Sequence, residues 1–598
     1  MKKKNSINSI INGTQGYTEK LDSFFKDKVF IVPNYQRNYA WDYDNWSDLW
    51  DDIEDGIANS IPHYWGTITL KDTGKLIKPS PATSFMQYQI IDGQQRITTL
   101  YILLLALAES GVSDIHTNYI KNGTIYKLRL GTLNETYIRD LVDKTNNTNL
   151  NIKKIRTNQR LKDALEFFKK RIHNANANSI TSYLVDFTFV LKFSIQDDSL
   201  AIQSFVNLND RGKDLTLIEK TKGLLTFYCS RYLQNDYNQL EQQVNDTFAT
   251  VFPNFDLIKD ISKSEEIEYI NSNNFIEDDI LRMFYHYFAW NFINKYNLSS
   301  GIAYDSRVTS KGSYDYIKTC LDILRKRTPP TDMKNYINDF LLNLEGFSEA
   351  LKDLINSVTQ LKQIKKMLVF LGLSAPIYPL AITLKKEGLL DSNMYKLLEN
   401  LDLRVFKVGG YYRIKPLYDI LIRIKSDQHP NPNYQKIYNE IKNYIYYWMP
   451  DIDFKRNLNG EIYNALYTKY ILWEYQKSVS QNFNDSDYSY YSKLSKEHIF
   501  AQQPVITIPS LGFIDDDEYN QHIHLIGNIC LLESSLQKNP HIDNKPPITK
   551  APVYESHSDS NMPETNQLGA DIKTKGFDKN ALFTRRDNIV DFCIKRWC

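Results

Sequence analysis

Two clusters of side chains have the types and spacing for chemistry on a phosphate. The first is Asp92-Gly93-Gln94-Gln95-Arg96. Tyr88-Gln89-Ile90-Ile91 before it reads as a buried strand, and residues 97–108 after it form an apolar run long enough for a buried helix. Asp92-Gly93 is a turn dipeptide, because glycine accepts positive φ without steric cost. The polar groups therefore fall where a strand becomes a helix. The first amides of a helix lack intrahelical partners and its dipole favours an anion. Gln94, Gln95 and Arg96 add donors, Arg96 has the fork geometry of a phosphate ligand, and Asp92 could hold a metal or polarise a water. The same residues also suit a capped helix whose arginine pairs with a carboxylate. The second cluster is Glu497-His498 with Asn528 and Asn539 downstream; half of the ten histidines fall between 498 and 557. An acid beside a histidine, followed by two asparagines, is what a one-metal phosphodiesterase needs. The histidine takes a proton from water. The carboxylate and an amide oxygen hold Mg²⁺, or Mn²⁺ in its place. The ion neutralises charge building on the phosphate, and the other asparagine orients the histidine. The alternative is a surface histidine and a turn asparagine. A zinc set of His498, His522, His524 and Cys530 is disfavoured, since Cys530 lies beyond the Gly527-Asn528 turn.

The elements that must position these groups follow from periodicity. Trp46, Leu49, Trp50, Ile53 and Ile57 recur at helical spacing, with acids on the other faces. Tyr35-Gln36-Arg37 follows the Pro33 segment and either converges on the Asp92–Arg96 turn or supplies a structural ion pair. Residues 190–195 read as a strand. Asn209-Asp210-Arg211-Gly212 is a turn by composition, and Asp214 or Thr216 can cap the helix that follows. Residues 231–440 carry helical patterns with almost no strand alternation. Within them residues 280–293 form a buried aromatic helix. Arg404, Lys407, Arg413, Lys415, Arg423 and Lys425 interleave with Phe406, Tyr411, Tyr412 and Tyr418. That run suits either a DNA backbone or an amphipathic helix pair with snorkelling cations. A C-terminal helix over 580–597 buries Leu582, Ile589, Cys593 and Trp597 and leaves Arg585, Arg586, Lys595 and Arg596 for solvent or phosphate.

Bulk properties bound the function class. A chain of 598 residues exceeds one core. A formal net charge of +1 does not announce a nucleic-acid binder, so any DNA contact is local. Five scattered cysteines without a C-x-x-C pair suit a reducing compartment and no four-cysteine zinc site. No run approaches a membrane span of roughly 18 apolar residues, and no signal peptide is read, so the expected location is the cytoplasm.

Three separated motifs then agree in order: Tyr35-Gln36-Arg37-Asn38-Tyr39-Ala40-Trp41, Tyr64-Trp65-Gly66-Thr67, and Ile91-Asp92-Gly93-Gln94-Gln95-Arg96. This order resembles the ParB-like N-terminal domain of GmrSD-type modification-dependent restriction enzymes. Asn209, Gly212, Leu215 and Lys222 resemble that family's fourth motif, with Asn207 a second candidate for its asparagine. The run Glu497-His498-Ile499 and Gly527-Asn528-Ile529-Cys530-Leu531-Leu532 resembles the family's C-terminal HNH nuclease domain. The resemblance implies nucleotide binding and hydrolysis by Tyr35, Gln36, Arg37, Asp92, Gly93, Gln94, Gln95, Arg96, Asn209 and Gly212, with Asp92 catalytic. It implies Glu497 and Asn539 as metal ligands, His498 as general base and Asn528 as its orienting asparagine. Ala501 stands where the family has proline. Gln537 falls on the last asparagine unless a two-residue insertion is allowed, which restores Asn539 together with Asn544-Lys545-Pro546.

The expected fold class is α+β and predominantly helical. A ParB-like α/β domain spans 1–230, a helical connecting domain 231–440 and a ββα-metal (HNH) nuclease domain 441–598. The expected function is an anti-phage restriction endonuclease that senses modified phage DNA, hydrolyses a nucleoside triphosphate and nicks or cleaves double-stranded DNA with a divalent metal. The alternatives are a nucleotide-controlled DNA-binding regulator with an inactive nuclease half, and a toxin-like nuclease acting on host nucleic acid. No membrane partner is expected, and the aromatic helices of the middle region leave a homodimer open.

Overall fold

The computed structural model describes residues 16–33, 36, 39–80, 83–144, 156–172, 174–195, 215–233, 236–272, 277–327, 329–410, 413–426, 433–504, 508–556 and 562–598. The fold is α+β and predominantly helical. Its largest sheet is N-terminal, built from β1 (Gly16–Lys20), β2 (Lys28–Ile31), β3 (His63–Ser80), β4 (Thr83–Asp92), β5 (Leu128–Arg129) and β6 (Thr188–Ile195), in the order β1-β6-β3-β4-β2-β5. β3 and β4 are antiparallel, and β4 pairs with β2 in parallel. The register shifts between Thr69 and Leu70, so that Thr69 lies opposite Asp92 and Leu70 opposite Ile90. That irregularity sits where β4 ends and the candidate chemistry begins.

Apolar sequence sets the layers. Helix Gln94–Glu109 is buried on all sides, as expected for a run with no polar stripe. Helix Tyr43–Asn59 starts at an Asp42/Asn45 capping box and turns Trp46, Leu49, Trp50 and Ile53 inward. Trp46 and Trp50 meet Phe167 and Phe168 of helix Arg156–Arg171. One core runs through these elements, from Leu21 to Val190, and a separate one runs from Ile218 to Trp597. Thr216 and Glu219 cap each other reciprocally at the start of helix Leu217–Tyr232, as the sequence suggested for Thr216. That helix packs in the second core.

The second core joins the middle helices to the C-terminal part through buried charge. Glu399 accepts from Trp597 Nε1 at 2.7 Å and from Arg596 at 2.8 Å. Lys366 bridges Glu474 at 2.6 Å and Asp485 at 2.5 Å. Arg404, 1 % exposed, donates to Trp597 O at 3.2 Å and to Asp451 at 2.7 Å. Of the two readings of the 404–425 run, the packed helical one holds for Arg404, Phe406, Lys407, Tyr418 and Arg423, while Arg413 and Lys415 are exposed. Arg404 is internal, Lys407 donates to Gly372 O, Arg423 pairs with Glu440, and Phe406 and Tyr418 are buried. Tyr411 and Tyr412 lie outside the described residues.

Helix Glu277–Lys295 contains His286, buried with Nδ1 3.0 Å from Tyr304 Oη and its ring 4.1 Å from that of Tyr418. Burial first, then Arg282, lowers its pKa to about 3. Native His286 therefore stays neutral while the unfolded chain takes a proton below about pH 6.5. Its stabilising contribution is complete above that value and is lost as pH falls towards 3, by up to about 1.4 kcal/mol per unit. Thermal unfolding between pH 7 and 4.5 is expected to show a shallower acid loss in His286→Gln than in the wild type; equal slopes would refute this assignment.

Candidate active sites

The N-terminal site is assembled at the end of β4. Gly93 has φ +92°, and a Cβ there would lie 2.3 Å from Ile68 Cδ1. The turn thus needs glycine for both conformation and space. Gly93→Ala is expected to lower stability by about 1–3 kcal/mol, seen as a fall in the urea midpoint. An unchanged midpoint would show that the turn relaxes. Gly66 has the same dual constraint, because its missing side chain leaves room for Arg96 Nη1 at 1.8 Å from the Cβ position. Arg96 donates to Trp65 O at 3.1 Å and lies 3.6 Å from Asp92 Oδ2, with its side chain partly exposed.

The glutamines work inward. Gln36 is buried and donates from Nε2 to Ile91 O at 2.9 Å and to Ile90 O. Gln95 Oε1 accepts from Ala40 N at 2.7 Å. Tyr39 Oη lies 2.7 Å from Thr99 Oγ1 and accepts from Trp46 Nε1 at 2.8 Å. These bonds bring Gln36, Tyr39 and Ala40 onto the strand–turn–helix around Asp92–Arg96; of Tyr35-Gln36-Arg37, only Gln36 is among the described residues. Gln94 is buried beside it. Tyr35, Arg37, Asn209 and Gly212 lie outside the described residues. Lys222 is buried in helix Leu217–Tyr232, with its ammonium 5.8 Å from the ring of Phe248 and 5.9 Å from that of Phe252. Burial lowers its pKa to about 7.

The C-terminal site is built on a two-stranded antiparallel hairpin, β7 (Leu494–His498) and β8 (Ile529–Glu533), with Ile529 opposite His498 and Cys530 opposite Glu497. Helix Pro547–Tyr554 lies against it. His498 is 7 % exposed, its ring 4.0 Å from that of Tyr463, and its Nε2 is 3.2 Å from His524 Nδ1. Burial, then the neighbouring His524, Lys550 and Lys496, holds its pKa down at about 3. A neutral imidazole is the form a general base needs. An approaching phosphate would raise its basicity, because a nearby anion favours the protonated form.

Asn528 is fully buried and clamps the strand exit. Its Oδ1 accepts from Phe500 N at 2.7 Å, and its Nδ2 donates to Ile523 O at 2.8 Å and Phe500 O at 3.2 Å. Its carbonyl accepts from Ile499 N at 2.9 Å. Asn528 thus touches the backbone just after His498 and not the ring. Behind it, Arg585 donates to the carbonyls of Ile526, Gly527 and Ile529.

The oxygen donors expected for a divalent ion are engaged by protein. Glu497 Oε1 is 2.7 Å from the Lys550 ammonium, and Asn539 Oδ1 accepts from His541 N at 3.0 Å. Gln537, the other candidate for the last asparagine's place, is exposed and donates to Lys496 O at 3.3 Å. Among the described residues no three His, Cys, Asp or Glu side chains are grouped to hold a metal. Glu497 Oε1 thus faces an ammonium where a bound Mg²⁺ would need an open oxygen. The zinc set fails as well: His522 Nδ1 faces Glu518 O at 2.6 Å, and burial pushes the Cys530 thiol up to about 12. The sequence reading missed Tyr463 and Lys550 as members of this site and placed His524 beside His498 only in the disfavoured zinc set. The one available signal was the position of His524, four residues before Asn528.

Two family models match the chain. GmrSD restriction endonuclease, N-terminal domain, matches residues 19–226, and GmrSD restriction endonucleases, C-terminal domain, matches 448–592. The chain belongs to the GmrSD restriction endonuclease family. The two GmrSD matches cover the two sites just described, one each, and between them more than half of the sequence. Membership makes the protein a restriction nuclease with DNA as substrate. No curated protein matches it. Among the described residues no helix is long and apolar enough to cross a membrane.

Proposed function

We propose that this GmrSD chain restricts modified phage DNA by coupling a nucleoside-triphosphate site at Asp92–Arg96 to a DNA-cutting centre at His498. The observation that carries the reading is the placement of His498 at the end of β7, opposite Ile529, with its flanking backbone clamped by Asn528 and its Nε2 directed at His524. In the cutting step His498 takes a proton from water at a ring nitrogen as the oxygen attacks phosphorus, while the P–O bond to the leaving sugar oxygen breaks and that oxygen takes a proton from solvent. Nδ1 has no hydrogen-bond partner among the described residues and is the atom assigned to that proton; Nε2 is already directed at His524. The phosphate also raises the basicity of the ring that it needs. For the nucleotide, Arg96 supplies a cation held in place by Trp65 O and Asp92, at a helix start that favours an anion. Asp92 is the residue assigned to hydrolysis. Coupling protects unmodified host DNA, because a ligand that prefers one conformation shifts the population towards it.

The test uses matched plain and modified duplexes, with and without nucleoside triphosphate, and with Mg²⁺, Mn²⁺ or chelator. Cutting that changes with modification or nucleotide, and triphosphate hydrolysis that is lost in Asp92→Ala, is the expected result. Identical cutting under all conditions would remove the coupling. A second reading draws on the Glu497–Lys550 pair: if no duplex is cut while hydrolysis persists, the chain is a nucleotide-controlled regulator with an inactive nuclease half. Toxicity in uninfected cells, relieved by His498→Ala, would instead point to attack on host nucleic acid.

A further inference from the structure

Lys550 projects from helix Pro547–Tyr554 with a side chain that is 0 % exposed. Its ammonium lies 2.7 Å from Glu497 Oε1 and 2.6 Å from His498 O. Two of its three donors are thus spent on consecutive residues of β7, next to the general base. An ammonium taken out of water costs several kcal/mol unless it is paired, and so does the carboxylate opposite it. Each ion therefore requires the other. A divalent ion on the same oxygen would sit about 2.1 Å from it, with the buried ammonium as its neighbour, so the two cations compete for one place.

The contact also has a mechanical side. The peptide that links His498 to Ile499 is held at its carbonyl by Lys550 and at its amide by Asn528 O. The next residue, Phe500, is held at both N and O by the Asn528 side chain. Lys550 and Asn528 together hold the strand exit, and the His498 ring lies against Tyr463 and His524.

We infer that Lys550 is the resident cation of Glu497, and that this buried pair positions His498 instead of forming half of a metal seat. Lys550 and Glu497 are then positioning residues, acting on the general base through the His498 carbonyl that Lys550 holds. The inference deepens the nuclease reading of the His498 centre and rests on it for the kinetic part of its test.

The experiment compares full-length wild type with Lys550→Met, Lys550→Arg, Glu497→Gln and the Glu497→Gln/Lys550→Met double variant. Thermal unfolding, Mn²⁺ binding by titration calorimetry with the metal alone, and kcat and KM for duplex cleavage are measured on each. Lys550→Met and Glu497→Gln are expected to lower kcat by roughly 10–100-fold, with KM within about twofold, and Lys550→Arg to recover part of the loss. The double variant is expected to be no worse than either single one in kcat and in melting temperature, because removal of both charges leaves neither ion stranded. Mn²⁺ binding by Glu497→Gln is expected to match that of wild type, including the case in which wild type binds none. A loss of wild-type Mn²⁺ binding in Glu497→Gln, or a kcat for Lys550→Met within twofold of wild type, would overturn the inference. Should wild type fail to cut any duplex, the nuclease reading falls. The pair is then judged on melting temperatures alone: non-additive losses support it and additive losses overturn it.

Discussion

Replacing His498 by alanine is expected to lower DNA cleavage by about 10²–10⁴-fold while DNA binding stays within about twofold. The size follows from the role. A general base removes a proton as the new bond forms, so its loss falls on the transition state and not on ground-state affinity. The binding half of the prediction follows from burial: His498 is almost enclosed, against Tyr463 and His524, and offers little surface to a duplex. His524→Ala should cost less, since it leaves His498 in place and removes only the group at Nε2. Single-turnover cleavage of a labelled duplex beside fluorescence anisotropy of the same duplex separates the two effects. Equal losses in both assays would mean that His498 holds DNA instead of activating water, and cleavage within threefold of wild type would move the chemistry elsewhere.

Local signals were readable from the sequence and long-range electrostatics were not. The strand–turn–helix at 88–108 followed from an Asp-Gly dipeptide between two apolar runs, and the helix was found at Gln94–Glu109 with Gly93 at positive φ. The buried aromatic helix and the C-terminal helix followed from apolar periodicity in the same way. The cations failed. Arg585 and Arg596 read as cations for solvent or phosphate, and Arg404 as part of a run open to either DNA or helix packing, because each sits in a basic stretch. Their partners lie far along the chain: Arg596 meets Glu399 across 197 residues and Arg404 meets Asp451 across 47. No period links such pairs, and a basic run looks the same whether its cations face water or an acid from another helix. Lys550 went unnoticed for the same reason, 53 residues from Glu497. At the candidate sites, residue types pointed to Glu497, His498 and Asn528, whereas the contacts of His498 with His524 and Tyr463 became visible only with the fold.

The adjacent arginines of the C-terminal helix offer the second large effect. Arg585 and Arg586 are indistinguishable by type and were expected to behave alike. Arg585 is buried: its Nε donates to Glu564 Oε1 at 2.8 Å, Nη2 lies 2.8 Å from the same oxygen, and Nη1 reaches three carbonyls between 526 and 529. Arg585→Met strands the buried Glu564 carboxylate and removes a donor from three carbonyls together. Breaking a buried ion pair from one side costs about 3–5 kcal/mol. Arg586 pairs with exposed Asp587, an interaction worth about 1 kcal/mol or less. The urea midpoint should therefore fall far more in Arg585→Met than in Arg586→Ala. Cleavage should fall with it, because the carbonyls lost are those that hold the Asn528 turn behind His498. Gly527 points the same way, since a Cβ there would lie 2.2 Å from Leu582 O of this helix. The helix and the turn have no slack between them, and a shift of one is passed to the other. If the two variants unfold at the same urea concentration, Glu564 has found water, and the C-terminal helix is not what holds the candidate nuclease centre in register.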